Sequence, residues 1–234
     1  MSLSALTNRI MNASVRTLLR KAHLIRDPQE RGELRRIPTA EVQQLITARP
    51  LICVDGSYTY VDGSLPWCDI FALLSIVADR RPKSVVEIGT FNGHTTRLLA
   101  ATLPNSQIHT IDLPPEPEDA SSEIPKDDFH LIRSRKIGEF YKSDASIVNV
   151  VQHLGDTAAM DFPPGELYFI DGSHTYEYVK NDTEKAMAFP QAKTFLWHDC
   201  DFRHPGVVRF LRELVDAGFP VRKIKGTNLA VLFR

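Results

Sequence analysis

From Ser84 to the carboxyl terminus, short apolar runs alternate with amphipathic stretches of helical period. The runs at 84–88, 107–111, 148–154, 166–170, 194–197, 221–224 and 228–233 read as seven strands. Leu167-Tyr168-Phe169-Ile170 is apolar at every position, as parallel strands are when both faces are covered. Helices are expected at 67–80 and 95–103, so the class is α/β: a doubly wound, Rossmann-like, mostly parallel seven-stranded sheet. Only Lys225-Gly226-Thr227 separates the last two strands, too little for a crossover, so they close the sheet as an antiparallel hairpin.

Two regions depart from this alternation. Residues 1–50 are expected as an N-terminal helical appendage to a main domain at 51–234, with Pro28 and Pro38 as breaks. Thr39 reads as the N-cap of a helix starting near Ala40, with Val42, Leu45 and Ile46 on its apolar face. Residues 1–26 carry Arg9, Arg16, Arg20, Lys21 and Arg26 without an acid, which suits a basic helix packed on the domain or on a second subunit. A transit peptide or a membrane-surface helix is the alternative. Residues 113–146 form a long polar insertion, acidic and proline-rich at first and basic later, and read as a lid, with Phe140 and Tyr141 as candidate substrate contacts.

Composition narrows the function. The formal net charge of -1 gives no electrostatic case for nucleic acid, so a small-molecule substrate is expected. No apolar run is long enough for a transmembrane segment. Cys53, Cys68 and Cys200 are widely spaced and make neither a disulfide framework nor a zinc knuckle, which fits a reducing, cytoplasmic location.

The first strand ends in Glu87-Ile88-Gly89-Thr90-Phe91-Asn92-Gly93 and opens a helix. Gly89 and Gly93 allow backbone to approach a ligand at the carboxyl edge of the sheet. Glu87 stands where a dinucleotide loop carries its first glycine. A carboxylate there disfavours a pyrophosphate and favours a cationic cofactor, S-adenosylmethionine, with its sulfonium and ammonium. Asp112 ends the next strand, 23 residues after Gly89, at the separation that suits a ribose diol. Gly155-Asp156 follows the third strand, where an acid accepts from an adenine amine. Asp171 leaves the fourth strand with His174 three residues on, and Asp199 leaves the neighbouring fifth. These two acids can converge on one cation or one hydroxyl.

Taken together, EIGT, DLP, GD, FIDGSH and WHD resemble, in that order, a class I S-adenosylmethionine-dependent methyltransferase of the methyltransferase-24-type bacterial family, related to the catechol-type O-methyltransferases. The resemblance spans roughly residues 60–234. It implies that Glu87, Gly89, Thr90, Phe91 and Gly93 line the methionine half of the cofactor, Asp112 and Leu113 the ribose, and Gly155 and Asp156 the adenine. It further implies magnesium or another divalent cation at Asp171 and Asp199, with His174 in the place of the catalytic base. Cys200 replaces the family's amide ligand, and a thiol suits a hard cation poorly, so the third donor falls to Asp201 or His198.

The expected reaction is methyl transfer to a small-molecule hydroxyl, with His174 and Asp171 as catalytic residues and a homodimer as the assembly. A nicotinamide-dependent oxidoreductase, a non-catalytic cofactor-binding subunit and a metal-dependent lyase on the same fold are the rival readings.

Overall fold

Alternation along each strand sends successive side chains to opposite faces of the sheet, and each face has its own helices. The computed structural model describes residues 28–47, 63–114 and 135–234. The basic segment 1–26 and most of the 113–146 insertion lie outside the described residues. The described elements are α1 (Pro28–Arg35), β1 (Thr39–Ala40), α2 (Val42–Leu45), α3 (Trp67–Arg80), β2 (Ser84–Ile88), α4 (His94–Thr102), β3 (Gln107–Asp112) and α5 (Glu139–Lys142). They continue with β4 (Val150–Leu154), β5 (Leu167–Ile170), α6 (Tyr176–Met187), β6 (Thr194–Trp197), α7 (Pro205–Asp216), β7 (Arg222–Ile224) and β8 (Ala230–Phe233).

The sheet order is β1-β7-β8-β6-β5-β2-β3-β4. Strands β2 to β6 are parallel neighbours, and β8 lies antiparallel between β6 and β7. One face packs Val85, Leu167, Phe169 and Leu196 against Leu73, Leu74, Val77 and Leu99 of α3 and α4. The other packs Val86, Tyr168, Phe195 and Trp197 against Val179, Val207 and Leu211 of α6 and α7. A core this dry on both faces gives strand ends fixed positions, which a catalytic site needs.

Among the described residues the sheet has eight strands, where the sequence pattern gave seven. The added strand is β1, paired in parallel with β7 through Thr39↔Lys223 and Ala40↔Ile224. Thr39 is therefore strand rather than N-cap; the cap of α2 is Glu41, in a capping box with Gln44. Ile37 is buried in the main core, and Arg36 of the preceding turn pairs with Asp216 at the end of α7. Residues 36–40 thus belong to the packed sheet layer. No helix among the described residues is long and apolar enough to cross a membrane.

The chain runs from β2 outward to β4, then returns to β5 on the other side of β2. The crevice above the carboxyl ends of β2 and β5 is therefore the topological switch point, where ligands bind in open α/β sheets.

Candidate active site

The glycine loop sits in that crevice. Gly89 has φ +101° and its amide donates to the Ile111 carbonyl; a Cβ there would lie 2.1 Å from the Asp171 carbonyl oxygen. Gly93, the N-cap of α4, has φ +78°, and a Cβ would press on Gly138 and Tyr141 at 2.7 Å. Substituting Gly89 by Ala should therefore cost about 3 kcal/mol, part from the left-handed φ and part from parting β2 and β5. Thermal unfolding should show a midpoint lower by roughly 6–12 °C for a chain of this size.

Glu87 is fully buried at the end of β2. Its Oε2 accepts hydrogen bonds from the hydroxyls of Thr96 and Thr110, whereas its Oε1 is buried without a partner. Burial pushes the carboxyl up to about 8; the two threonines oppose this, and the charges of Asp171 and Asp112 add to it. The loop residue Thr90 belongs to the same network. Gln152 Nε2 donates to Thr90 at 3.0 Å, Thr90 meets Thr110 at 2.7 Å, and the Tyr141 hydroxyl donates to Gln152 Oε1 at 2.6 Å. Tyr141 is thus buried beneath the loop holding Gln152, and is not the substrate contact the sequence suggested.

Asp112 is held differently from a simple turn cap. Its Oδ2 accepts from the Phe91 amide at 2.8 Å, and its Oδ1 accepts from the Leu113 amide and from Arg135 Nη2 at 3.1 Å. Arg135 is nearly inaccessible and donates also to the Leu113 carbonyl. Burial raises the Asp112 carboxyl and Arg135 opposes it. Asp156, one residue past Gly155, accepts from the Ala158 amide and from the Tyr178 hydroxyl of α6. Phe91 takes a left-handed φ of +50°, which turns its carbonyl to the Gly138 amide and anchors the described end of the insertion on the loop.

Beside this crevice, at the ends of β5 and β6, stands a cluster of acids and imidazoles. Asp199, in a left-handed conformation with φ +54°, lies at its centre. Its Oδ2 is 2.7 Å from His174 Nε2 and 3.3 Å from His198 Nδ1, and its Oδ1 is 3.3 Å from His204 Nδ1. Burial opposes ionisation here, yet His174 and His198 hold the Asp199 carboxyl well below the usual range. His198 Nδ1 is also 3.0 Å from Asp171 Oδ1, and its Nε2 donates to Asp69 Oδ2 at 2.8 Å. Against its own burial, His198 is pulled well above the ordinary imidazole range by Asp171, Asp199 and Asp69.

The donors present decide which residues fit a divalent ion. Asp201 does not fit. Its Oδ2 accepts from Arg203 Nε and Nη2 at 2.9 and 2.7 Å, and its Oδ1 accepts from the Arg203 amide and His204. Despite burial, His204 and Arg203 hold its carboxyl down at about 2. Cys200 is buried, and burial pushes its thiol up to about 12, so it stays protonated and offers no thiolate. Of the two third donors considered with Asp171 and Asp199, His198 has its donor atom within 4.8 Å of both, whereas Asp201 lies in no such group among the described residues. A second group, His174, Asp199 and His204, shares Asp199 with the first.

The sequence reading missed Asp69 and His204. Asp69 had a usable signal: at i, i+4 and i+7 it shares a helix face with Leu73 and Ile76, so it is an acid on the buried side of α3. His204 had none beyond its place before the Pro205-Gly206 helix start. Gly206 is where α7 presses on the His174 loop, its Cα lacking the room for a Cβ, which would fall 2.5 Å from the His174 carbonyl.

The parallel sheet with a closing antiparallel strand inserted between β6 and β7 is the class I methyltransferase arrangement, and the crevice and the acid cluster occupy its carboxyl edge. Residues 86–200 match the model of the methyltransferase-24-type family, described as a methyltransferase domain. A search of curated proteins finds no match. Among solved structures, the chain is similar to the O-methyltransferase TomG of Streptomyces achromogenes, with 19% identity over 74% of this chain and 82% of that one, at a TM-score of 0.48. It is similar also to the methyltransferase PaMTH1 of Podospora anserina, with 14% identity over 74% and 81% and a TM-score of 0.47.

Proposed function

We propose that the protein transfers a methyl group from S-adenosylmethionine to a hydroxyl of a small molecule. The observation that carries this reading is Glu87: a fully buried carboxyl, satisfied on one oxygen only, directly beneath the glycine loop of a methyltransferase domain. A buried polar atom without a partner is costly, and an ammonium donor at Oε1 removes that cost. Glu87 and the loop Gly89-Thr90-Phe91 with Gly93 take the amino-acid end of the donor. Asp112, with Leu113, takes the ribose hydroxyls, and Gly155-Asp156 the adenine side. The donor supplies an activated methyl; the chain supplies position and a route for the acceptor proton.

A neutral alcohol is a weak nucleophile, so its proton must leave as the new bond forms. The Asp199–His174 pair, at 2.7 Å, is a carboxylate–imidazole dyad that accepts this proton and stabilises the resulting imidazolium. Asp171 and Asp199 would hold a divalent ion, which would supply Lewis-acid lowering of the hydroxyl pKa. The weak net charge supports a small acceptor rather than nucleic acid, and cytoplasmic location and a homodimer complete the reading.

The test is isothermal titration with S-adenosylmethionine and, separately, with a nicotinamide dinucleotide, followed by methyl-labelled donor and a panel of sugar, phenolic and polyketide alcohols. Micromolar binding of the first ligand alone and label transfer to oxygen are the expected results. Binding of the dinucleotide instead, or label transfer to nitrogen alone, refutes the reading.

A further inference from the structure

We infer that one face of α6, formed by Tyr178, Asn181 and Lys185, is a clamp that sets the donor site's selectivity for adenine, with Lys185 as its principal positioning residue. This role rests on the methyl-transfer reading, which places the adenine at Gly155-Asp156. The clamp closes on the crossover between β4 and β5. Residues 155–166 contain no helix, so the carbonyls that a crossover helix would pair internally must find partners elsewhere. The amides of Ala159 and Met160 turn back to the Asp156 carbonyl, both at 3.0 Å, and α6 takes up the carbonyls that follow. Lys185 Nζ donates to those of Thr157, Ala158 and Met160 at 2.6, 3.1 and 2.9 Å, which uses all three N–H bonds of the ammonium. The same ammonium lies 5.5 Å from the ring centre of the buried Phe162. Positions 178, 181 and 185 stand at i, i+3 and i+7, so one helix face carries the whole clamp.

The hold reaches Asp156 through a single peptide plane. The Thr157 carbonyl, held by Lys185 and by Asn181 Nδ2 at 3.2 Å, belongs to the same rigid unit as the Ala158 amide. That amide donates to Asp156 Oδ1 at 2.8 Å, and the Tyr178 hydroxyl donates to Oδ2 at 3.1 Å. Both carboxylate oxygens are thus oriented from α6, one through the peptide and one directly, and each keeps a second lone pair for a ligand. The Gly155 amide donates to the Asp112 carbonyl at 2.9 Å, which sets the oriented carboxylate beside the ribose acid. A carboxylate fixed in advance loses little freedom on accepting from an exocyclic amine, whereas a loosened one loses more. Lys185 therefore acts on selectivity without meeting the donor.

The experiment titrates the full chain with S-adenosylhomocysteine and with its analogue carrying unsubstituted purine in place of adenine. Wild type should bind the adenosyl compound at least about tenfold more tightly, as one hydrogen bond to a charged group warrants. Lys185→Met should leave affinity for the analogue within about twofold and cut the adenosyl preference to about threefold or less. Asn181→Ala, which retains the ammonium, should lower the preference by about threefold and serves if Lys185→Met does not fold. A merely structural lysine predicts equal weakening of both compounds with the preference intact. That result, or unchanged affinity and preference in both variants, overturns the inference. Wild type that binds the two compounds alike removes Asp156 from the adenine and overturns it too. Wild type that binds neither refutes the methyltransferase reading and takes the clamp's role with it, so the two failures give different results.

Discussion

Replacing Glu87 by Gln should lower affinity for S-adenosylmethionine by about 10- to 100-fold, the usual worth of a buried charge-assisted hydrogen bond. The same change should alter two proton-linked quantities. With its carboxyl pushed up to about 8 by burial, Glu87 is largely neutral in the cofactor-free protein near pH 7. An ammonium arriving at Oε1 favours the ionised form, so binding must expel a proton. Calorimetry at pH 6.5 in buffers of different ionisation enthalpy should show release of close to one proton per donor bound by the wild type, and none by Glu87→Gln. Equal proton release in both proteins would dissociate Glu87 from the donor.

Stability should move with pH in the matching direction. The folded value of Glu87 lies above the ordinary carboxyl value of 4.5. Its contribution is therefore fully present below about pH 4.5 and lost as pH rises through about 8. At full ionisation the loss is on the order of 5 kcal/mol. Glutamine does not titrate, so the melting temperature of Glu87→Gln should fall less between pH 7 and pH 9.5 than that of the wild type. The comparison concerns the slope, because the amide leaves its own N–H group buried where Oε1 now stands.

Replacing His174 by Ala should reduce turnover by about 10²- to 10⁴-fold, the range for losing a positioned general base. Donor affinity should stay within about twofold, because His174 lies across the crevice with Asp199 and not on the glycine loop. Added imidazole should restore part of the rate, since the dyad's carboxylate remains. A merely structural role for His174 predicts the opposite pattern, with donor binding and melting temperature both falling and no rescue. If His174 proves dispensable with turnover intact, proton removal belongs to another group of the cluster, and His204, 3.3 Å from the other oxygen of Asp199, is the next to test.

Much of this was legible in the sequence because it depends on local pattern. Apolar runs mark β2, β5 and β6 since both their faces are covered, and the three residues between the last two apolar runs, five between β7 and β8 in the structure, are too few for a crossover and force a hairpin. Strand β1 was not legible: two residues carry no periodicity, and Thr39 reads equally as a cap. The acids at strand ends were found because chain order places them at the carboxyl edge. Their partners were not, because pairing depends on contacts remote in sequence. Asp69 reaches His198 across 129 residues, and no spacing rule joins them. Asp201 looked as suitable for a cation as Asp199, and only the fold of the 201–204 turn shows that Arg203 has taken it.

The hydrogen bonds running from Tyr141 to Glu87 have a polarity. Each link passes its proton inward: Tyr141 to Gln152, Gln152 to Thr90, Thr90 to Thr110, and Thr110 to the carboxyl. The Gln152 carboxamide sets that sense, since its oxygen faces the tyrosine and its nitrogen the threonine. Flipping this one amide would turn its oxygen against the Thr110 and His153 carbonyls, and with Thr90 then donating to Gln152 no proton would be left between Thr90 and Thr110. Donor affinity should therefore depend on a side chain of β4 that never needs to meet the donor, and laboratory evolution for tighter or looser donor binding should find its substitutions along this line of residues as readily as in the crevice.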